Sequence, residues 1–291
     1  MFARWKSNSS STFSYRLFKQ HHSEIHRLYG AHTLVSRRTM NMVKKIDKQL
    51  RPTAVFNVSR RNIQTIAPTL AHWEKDYKHF NNWVRLSAAV AINAYMEIYL
   101  RNVSTLAVES NPGIIIGAPG AIDGVKLLKS REKYSYSEVA VHFTKGDWNT
   151  RITHYERLFG PAPKTLKEYA KELNELRKMR NGVGHSFGRS VDEYDTGLTT
   201  ELKPMMRLSE ERFDHWLRMA DEVAAAIDRH LRETHIGQYE MLLYYHTWLK
   251  KRGGAPTDDD PALLQQSISQ ETGETFDLPY LQSLIGYYHE S

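Results

Sequence analysis

Three residues in one short segment have the types needed to cut a phosphodiester bond. They are Arg180, Asn181 and His185, in the stretch Lys178-Met179-Arg180-Asn181-Gly182-Val183-Gly184-His185. An imidazole, with an unperturbed pKa of about 6.5, both gives and takes protons near neutrality. A guanidinium is a permanently charged planar fork that matches phosphate oxygens. A carboxamide can donate to the same phosphate or orient the imidazole. Together these groups suit proton transfer beside a phosphate whose charge is held by fixed donors. The same types also make an ordinary helix end. Arg and His complement the dipole in a last turn and Gly follows it, so His185 reads equally as an incidental loop residue.

Other constellations are weaker. The chain has no cysteine, which excludes disulfides, thiolate catalysis and cysteine-bearing zinc sites. It has fourteen histidines, and His22 and His26 stand one turn apart. No His-Glu-x-x-His is present and carboxylates near that pair are few, so neither a metal nor a cofactor is expected. Gly117, Gly120 and Gly124 invite a phosphate-loop reading. They lack the following Gly-Lys-Ser/Thr, and an ordinary loop is expected.

The elements that must position the candidate residues are helices. Leu86, Ala89, Val90, Asn93, Met96, Glu97 and Leu100 recur at three- and four-residue steps, which predicts a long helix from Trp83 to about Val108. It stops before Asn111-Pro112-Gly113. Residues 111 to 149 hold five glycines and read as an irregular insertion, with Ile114–Ile116 and Val139–Phe143 as candidate short strands. A helix follows over 149–158 and another over 165–180, the latter ending at the candidate arginine. Residues 186 to 206 read as loop. Ser209 with Glu210 and Glu211 marks the start of a last bundle helix, which breaks near Gly237 and resumes over 239–250. Tyr239–Trp248, with Tyr244, Tyr245 and His246, reads as bundle packing or a dimer face.

Charge is uneven. Residues 1 to 62 carry thirteen Lys/Arg and two acids, a balance of +11, while residues 253 to 291 carry seven acids and no Lys or Arg, a balance of -7. Arg37-Arg38, Lys44-Lys45 and Arg60-Arg61 cluster in the basic arm, interleaved with Trp5, Tyr15, Phe18 and Tyr29, a composition suited to phosphates and bases. The acidic tail is expected either to fold onto the arm or to be a solubilising end. No apolar run approaches the length of a membrane span, so no membrane partner is expected. Without cysteines, a reducing cytoplasm is the default.

The Arg180-Asn181…His185 spacing resembles the signature of the HEPN superfamily: an arginine four to six residues before a histidine, with a polar residue directly after the arginine. The helix before it, and the stretch Ala88–Val103 with its acidic Glu97, are similar to that family's bundle helices. The resemblance covers about residues 80 to 250 and is most like the RiboL-PSP and related bacterial nucleases. Gly182 and Gly184 depart from it, standing where members more often carry helix-compatible residues.

The resemblance implies an all-α antiparallel helical bundle over 80–252, with the insertion 111–149, a basic and partly helical extension over 1–79 and an acidic tail over 253–291. It also implies metal-independent RNA cleavage by Arg180, Asn181 and His185, in a homodimer whose two motifs share one cleft. The setting it implies is that of a toxin or anti-phage effector, with an antitoxin or defence protein as partner. Glu97 is expected as a supporting partner of an arginine, Arg180 among the candidates. Arg37, Arg38, Lys44, Lys45, Arg60 and Arg61 are the expected nucleic-acid contacts. The rival expectation is a non-catalytic helical module that binds nucleic acid or a protein.

Overall fold

The computed structural model describes residues 2–58, 67–130, 136–186, 204–253 and 256–291. Eight longer helices carry the fold: α1 (Phe13–Val43), α2 (Leu70–Ser110), α3 (Trp148–Phe159), α4 (Ala170–Ser186), α5 (Glu210–Leu231), α6 (Tyr239–Arg252), α7 (Asp260–Thr272) and α8 (Leu278–Glu290). No strand occurs among the described residues, and the fold is an all-α helical bundle. Among the same residues no helix is long and apolar enough to cross a membrane. The chain divides into two compact units.

The bundle unit comprises Phe18–Met96 and Lys171–Glu222. Within it α1 runs antiparallel to α2. The Asn81 amide donates to Ser36 Oγ at 2.8 Å, Lys48 pairs with Glu74 at 2.9 Å, and His21 stacks on Tyr95 at 4.0 Å. α1 also runs antiparallel to α5: Lys19 pairs with Asp221 at 2.7 Å, His22 meets the Leu217 carbonyl at 2.9 Å, and Tyr29 lies edge-on to Phe213 at 4.6 Å. Phe18, Leu86, Ala89, Ile92, Leu173, Leu176, Met179, Phe213 and Trp216 are buried at its centre. The basic arm thus contributes a packed helix with its own core residues, because one side of α1 is apolar at helical spacing.

The terminal unit comprises Met1–Leu17, Glu97–Ala170 and Val223–Ser291. The acidic tail is helical here, with Leu264, Ile268, Leu281 and Leu284 buried, and it meets the start of the chain. Phe2 packs on Tyr287 at 5.0 Å and Arg16 pairs with Glu274 at 2.6 Å. The Arg4 guanidinium is buried and bonds Asp123, the Ile236 carbonyl and Ser110. Gly237 sits beside it with φ 54°, and a Cβ there would lie 2.4 Å from the Arg4 carbonyl oxygen. Only glycine meets both demands.

Several boundaries differ from the sequence expectation. α2 begins at Leu70 rather than Trp83, because Thr69 caps it through His72 N and no Gly or Pro interrupts residues 70–82. Ile114–Ile116 lie in a 3₁₀ turn and Ser137–Val141 form one helical turn, instead of strands. A lone strand would leave its backbone groups unpaired, whereas the turn pairs them locally, as in Ala118 N to Gly113 O at 2.8 Å. The expected 165–180 helix is two: a turn at Lys164–Glu168, then α4, which continues past Arg180 to Ser186. Val183 is buried one turn beyond Met179, and that burial offsets the roughly 1 kcal/mol each glycine costs in a helix. The Ser209 start is as expected, with its hydroxyl accepting from Arg212 N at 3.2 Å.

Candidate active site and nucleic-acid interface

Both ends of the candidate motif lie on one continuous helix. α4 turns Leu173, Leu176, Met179 and Val183 inward. Arg180 and Asn181 border that apolar face, both half-buried. Arg180 Nη1 donates to Asn181 Oδ1 at 3.0 Å, so the amide is held by its oxygen and its NH₂ remains a donor. A neighbouring glutamate secures the helix from outside: Arg212 of α5 pairs with Glu175 at 2.6 Å.

His185 is helical in backbone, four residues after Asn181 and five after Arg180. On an ideal helix a four-residue step keeps a face, while a five-residue step turns about 140°. Asn181 and His185 therefore share a register position on α4, and Arg180 stands to one side of it. The helix continues through Gly182 and Gly184, so the motif is not a helix stop followed by a loop.

Among the described residues, a Cβ at Gly182 or Gly184 would meet nothing within 4 Å, and both have helical backbones that any residue adopts. Glycine carries no side chain to hold off an approaching backbone.

Arg177 is a residue that the sequence reading passed over. It stands at i−3 from Arg180 and i−4 from Asn181, and its Nε is buried without a hydrogen-bond partner among the described residues. That spacing is the signal that could have found it. It adds a second guanidinium to the side of α4 that carries the motif.

Glu97 has an arginine partner in Arg151. Its Oε1 meets Arg151 Nη2 at 3.3 Å. Arg151 is 4% exposed, also donates to the carbonyls of Thr144 and Gly146, and stacks over Trp148. The pair ties α2 to the start of α3 within the terminal unit.

The expected nucleic-acid contacts separate into groups. Arg38 is exposed on the second half of α1, and Lys44 and Lys45 are exposed in the turn just after it. Arg37 is exposed too, with Glu210 at 3.1 Å. Arg60 and Arg61 lie outside the described residues. The interleaved aromatics of the arm serve packing: Phe18 is 2% exposed, Tyr29 packs on Phe213, and Tyr15 lies edge-on to Tyr99 at 6.0 Å. Trp5 lies under the Arg4 guanidinium, 4.4 Å from ring centre to carbon. His22, considered for metal, is taken up by the Leu217 carbonyl.

Two buried carboxylates lie elsewhere, in the terminal unit, at the first turn of α1. Asp228 accepts from the Thr12 hydroxyl and Glu240 accepts from Phe13 N at 2.9 Å. Burial raises the pKa of both, that of Glu240 to about 8. They satisfy orphan N–H groups at the helix start, which is a structural use. His230 and His235 are lowered by burial and bond Tyr155 and the Phe159 carbonyl respectively.

No family model matches the chain, and neither a curated protein nor a solved structure matches it.

Proposed function

We propose that this chain is a metal-independent endoribonuclease of HEPN type that works as a homodimer. The observation that carries the reading is the bonded Arg180–Asn181 pair, on a helix that continues through Gly182 and Gly184 to His185. In this reading the His185 imidazole takes the proton of a ribose 2′-OH. The 2′-oxygen then attacks the adjacent phosphorus, the P–O5′ bond breaks, and a proton is delivered to the leaving 5′-oxygen. The products are a 2′,3′-cyclic phosphate and a 5′-OH. Arg180 and the free NH₂ of Asn181 stabilise the charge that builds on the phosphoryl oxygens.

One imidazole does not readily serve both sides of the scissile bond, so two chains supply one histidine each to a shared cleft. The setting that fits such an activity is a toxin or anti-phage effector held by an antitoxin or defence partner.

The test is cleavage of RNA by purified protein in EDTA, wild type against His185→Ala, with circular dichroism to verify the fold. Wild-type cutting that His185→Ala abolishes supports the reading. No cutting, or cutting that survives the substitution, leaves the chain as a non-catalytic binding module. Mixing wild-type chains with an excess of His185→Ala chains tests the shared site. Activity per wild-type chain should fall beyond dilution once subunits have exchanged, and a flat line would assign a complete site to each chain.

A further inference from the structure

The first half of α2 carries a run of rings that the fold does not bury. Trp73 and Tyr77 stack at 4.8 Å with planes 14° apart, Tyr77 and Phe80 at 6.3 Å and 29°, and Phe80 and Trp83 at 6.0 Å and 16°. Phe56 extends the run at its lower end, 4.6 Å from Trp73. Phe80 is 48% exposed and Trp83 is 40% exposed. Large aromatic surface left in water on a rigid helix is costly, and it is the surface on which bases stack.

The rings lie beside cations. Because the chain runs antiparallel to α2 here, from Ser36 against Asn81 to Lys48 against Glu74, residues 36–48, the end of α1 and the turn after it, span the same stretch as residues 74–81 of α2. Arg37, Arg38, Lys44 and Lys45 are all exposed within that span, and His32 of α1 lies edge-on to Phe80 at 5.9 Å. α2 adds exposed Lys75 and Lys78 to the same stretch. The acids there are Glu74, already shared between Lys48 and Lys78, with exposed Asp47 and Asp76, and Arg37 is paired with Glu210.

We infer that Trp73, Tyr77, Phe80 and Trp83, with the cations of α1 alongside, form a binding track for single-stranded nucleic acid. Rings offer faces to successive bases, and the Lys/Arg row neutralises the phosphates that accompany them. Duplexes are excluded, because paired bases present no free face to a side chain. The track, and not the arm's Tyr15, Phe18 and Tyr29, whose rings pack on neighbours, is the stacking surface. It names the form of the substrate for the ribonuclease reading, and rests on that reading only in taking the strand to be RNA.

The experiment measures fluorescence anisotropy of the full chain with a labelled oligodeoxythymidylate, which lacks the 2′-OH and cannot be cut, and with a duplex of equal length. Tight binding of the single strand and weak binding of the duplex is expected. Joint Phe80→Leu and Trp83→Leu, which keep apolar bulk but lose the π faces, should weaken single-strand binding about tenfold or more while leaving the salt slope unchanged. Joint Lys44→Gln and Lys45→Gln should flatten the salt slope. Equal binding of duplex and single strand, or leucine variants that bind as tightly as wild type, would overturn the track. RNA cleavage measured on the same preparations separates the two ideas. Cleavage without ring-dependent binding sinks the track alone, and ring-dependent binding without cleavage sinks the nuclease alone.

Discussion

Arg180 donates to the side-chain oxygen of Asn181 at 3.0 Å, between neighbours on the same turn of α4. The contact engages the carboxamide oxygen and holds the guanidinium beside it. A phosphate arriving at α4 would meet two donors set in advance, and such preorganisation accounts for much of the rate enhancement in charge-stabilising sites.

Arg180→Ala should therefore lower kcat/KM for RNA cleavage by about 10²- to 10³-fold with little change in melting temperature. Asn181→Asp should cost more than Asn181→Ala, because a carboxylate there would neutralise Arg180 and repel phosphate. Initial rates on a fluorogenic RNA in EDTA, with thermal melts alongside, decide this. Equal rates for the Asp and Ala variants would detach Asn181 from the phosphate.

Gly182→Ala and Gly184→Ala should move stability and activity in opposite directions. Each adds about 1 kcal/mol of helix propensity at a position with room for a Cβ, so the melting temperature rises. Each also roughens the surface between Arg180 and His185, so cleavage falls. Wild-type cleavage in a stabilised variant would show that no second backbone comes close there.

Glu240 predicts a stability that declines toward alkaline pH. An unfolded glutamate releases its proton near 4.5, whereas burial holds the folded Glu240 proton to about 8. Between those values the unfolded chain binds fewer protons, so stability falls as pH rises, by an amount on the order of a few kcal/mol. Glu240→Gln should flatten this slope and raise the melting temperature near pH 8. Asp228, shifted in the same direction, should leave a remnant. Parallel melts at pH 5 and pH 8 measure it, and an unchanged slope in Glu240→Gln would refute the assignment.

Removing residues 1–62 should unfold the protein rather than simply weaken polyanion binding. The deletion takes Phe18, Ile25 and Val43 out of the core and strips the Arg4 bonds. Arg38→Gln, Lys44→Gln and Lys45→Gln together should instead keep the fold and lower the slope of log affinity against log salt, by roughly one for each lost phosphate contact. A folded, RNA-binding deletion product would contradict the first expectation.

The helical character of this chain was legible wherever apolar residues recur on one face, as in Leu86, Ala89 and Met96 or in Phe213, Trp216 and Ala220. It was not legible where a helix keeps its rings half in water, so the pattern predicts the helix only from Trp83 and misses its first turns, with Trp73 and Phe80. The end of α4 was misread for a related reason. Two glycines carry a local stop signal, and the burial of Val183 that outweighs it is a tertiary term.

By itself the sequence determined the residue types at Arg180, Asn181 and His185, their spacing, the absence of cysteine, and the concentration of positive charge before residue 62. Those are properties of covalent order, and no fold alters them. Tertiary structure decided which charges stay available. Arg4 is drawn into the interior by Asp123 and two carbonyls, while Lys44 and Lys45 are left exposed in the turn after α1. It also decided which aromatics are surface, burying Phe18 and leaving Trp83 exposed. The physical reason is that a helix has one inward face, and which neighbour lies against that face depends on residues a hundred or more positions away.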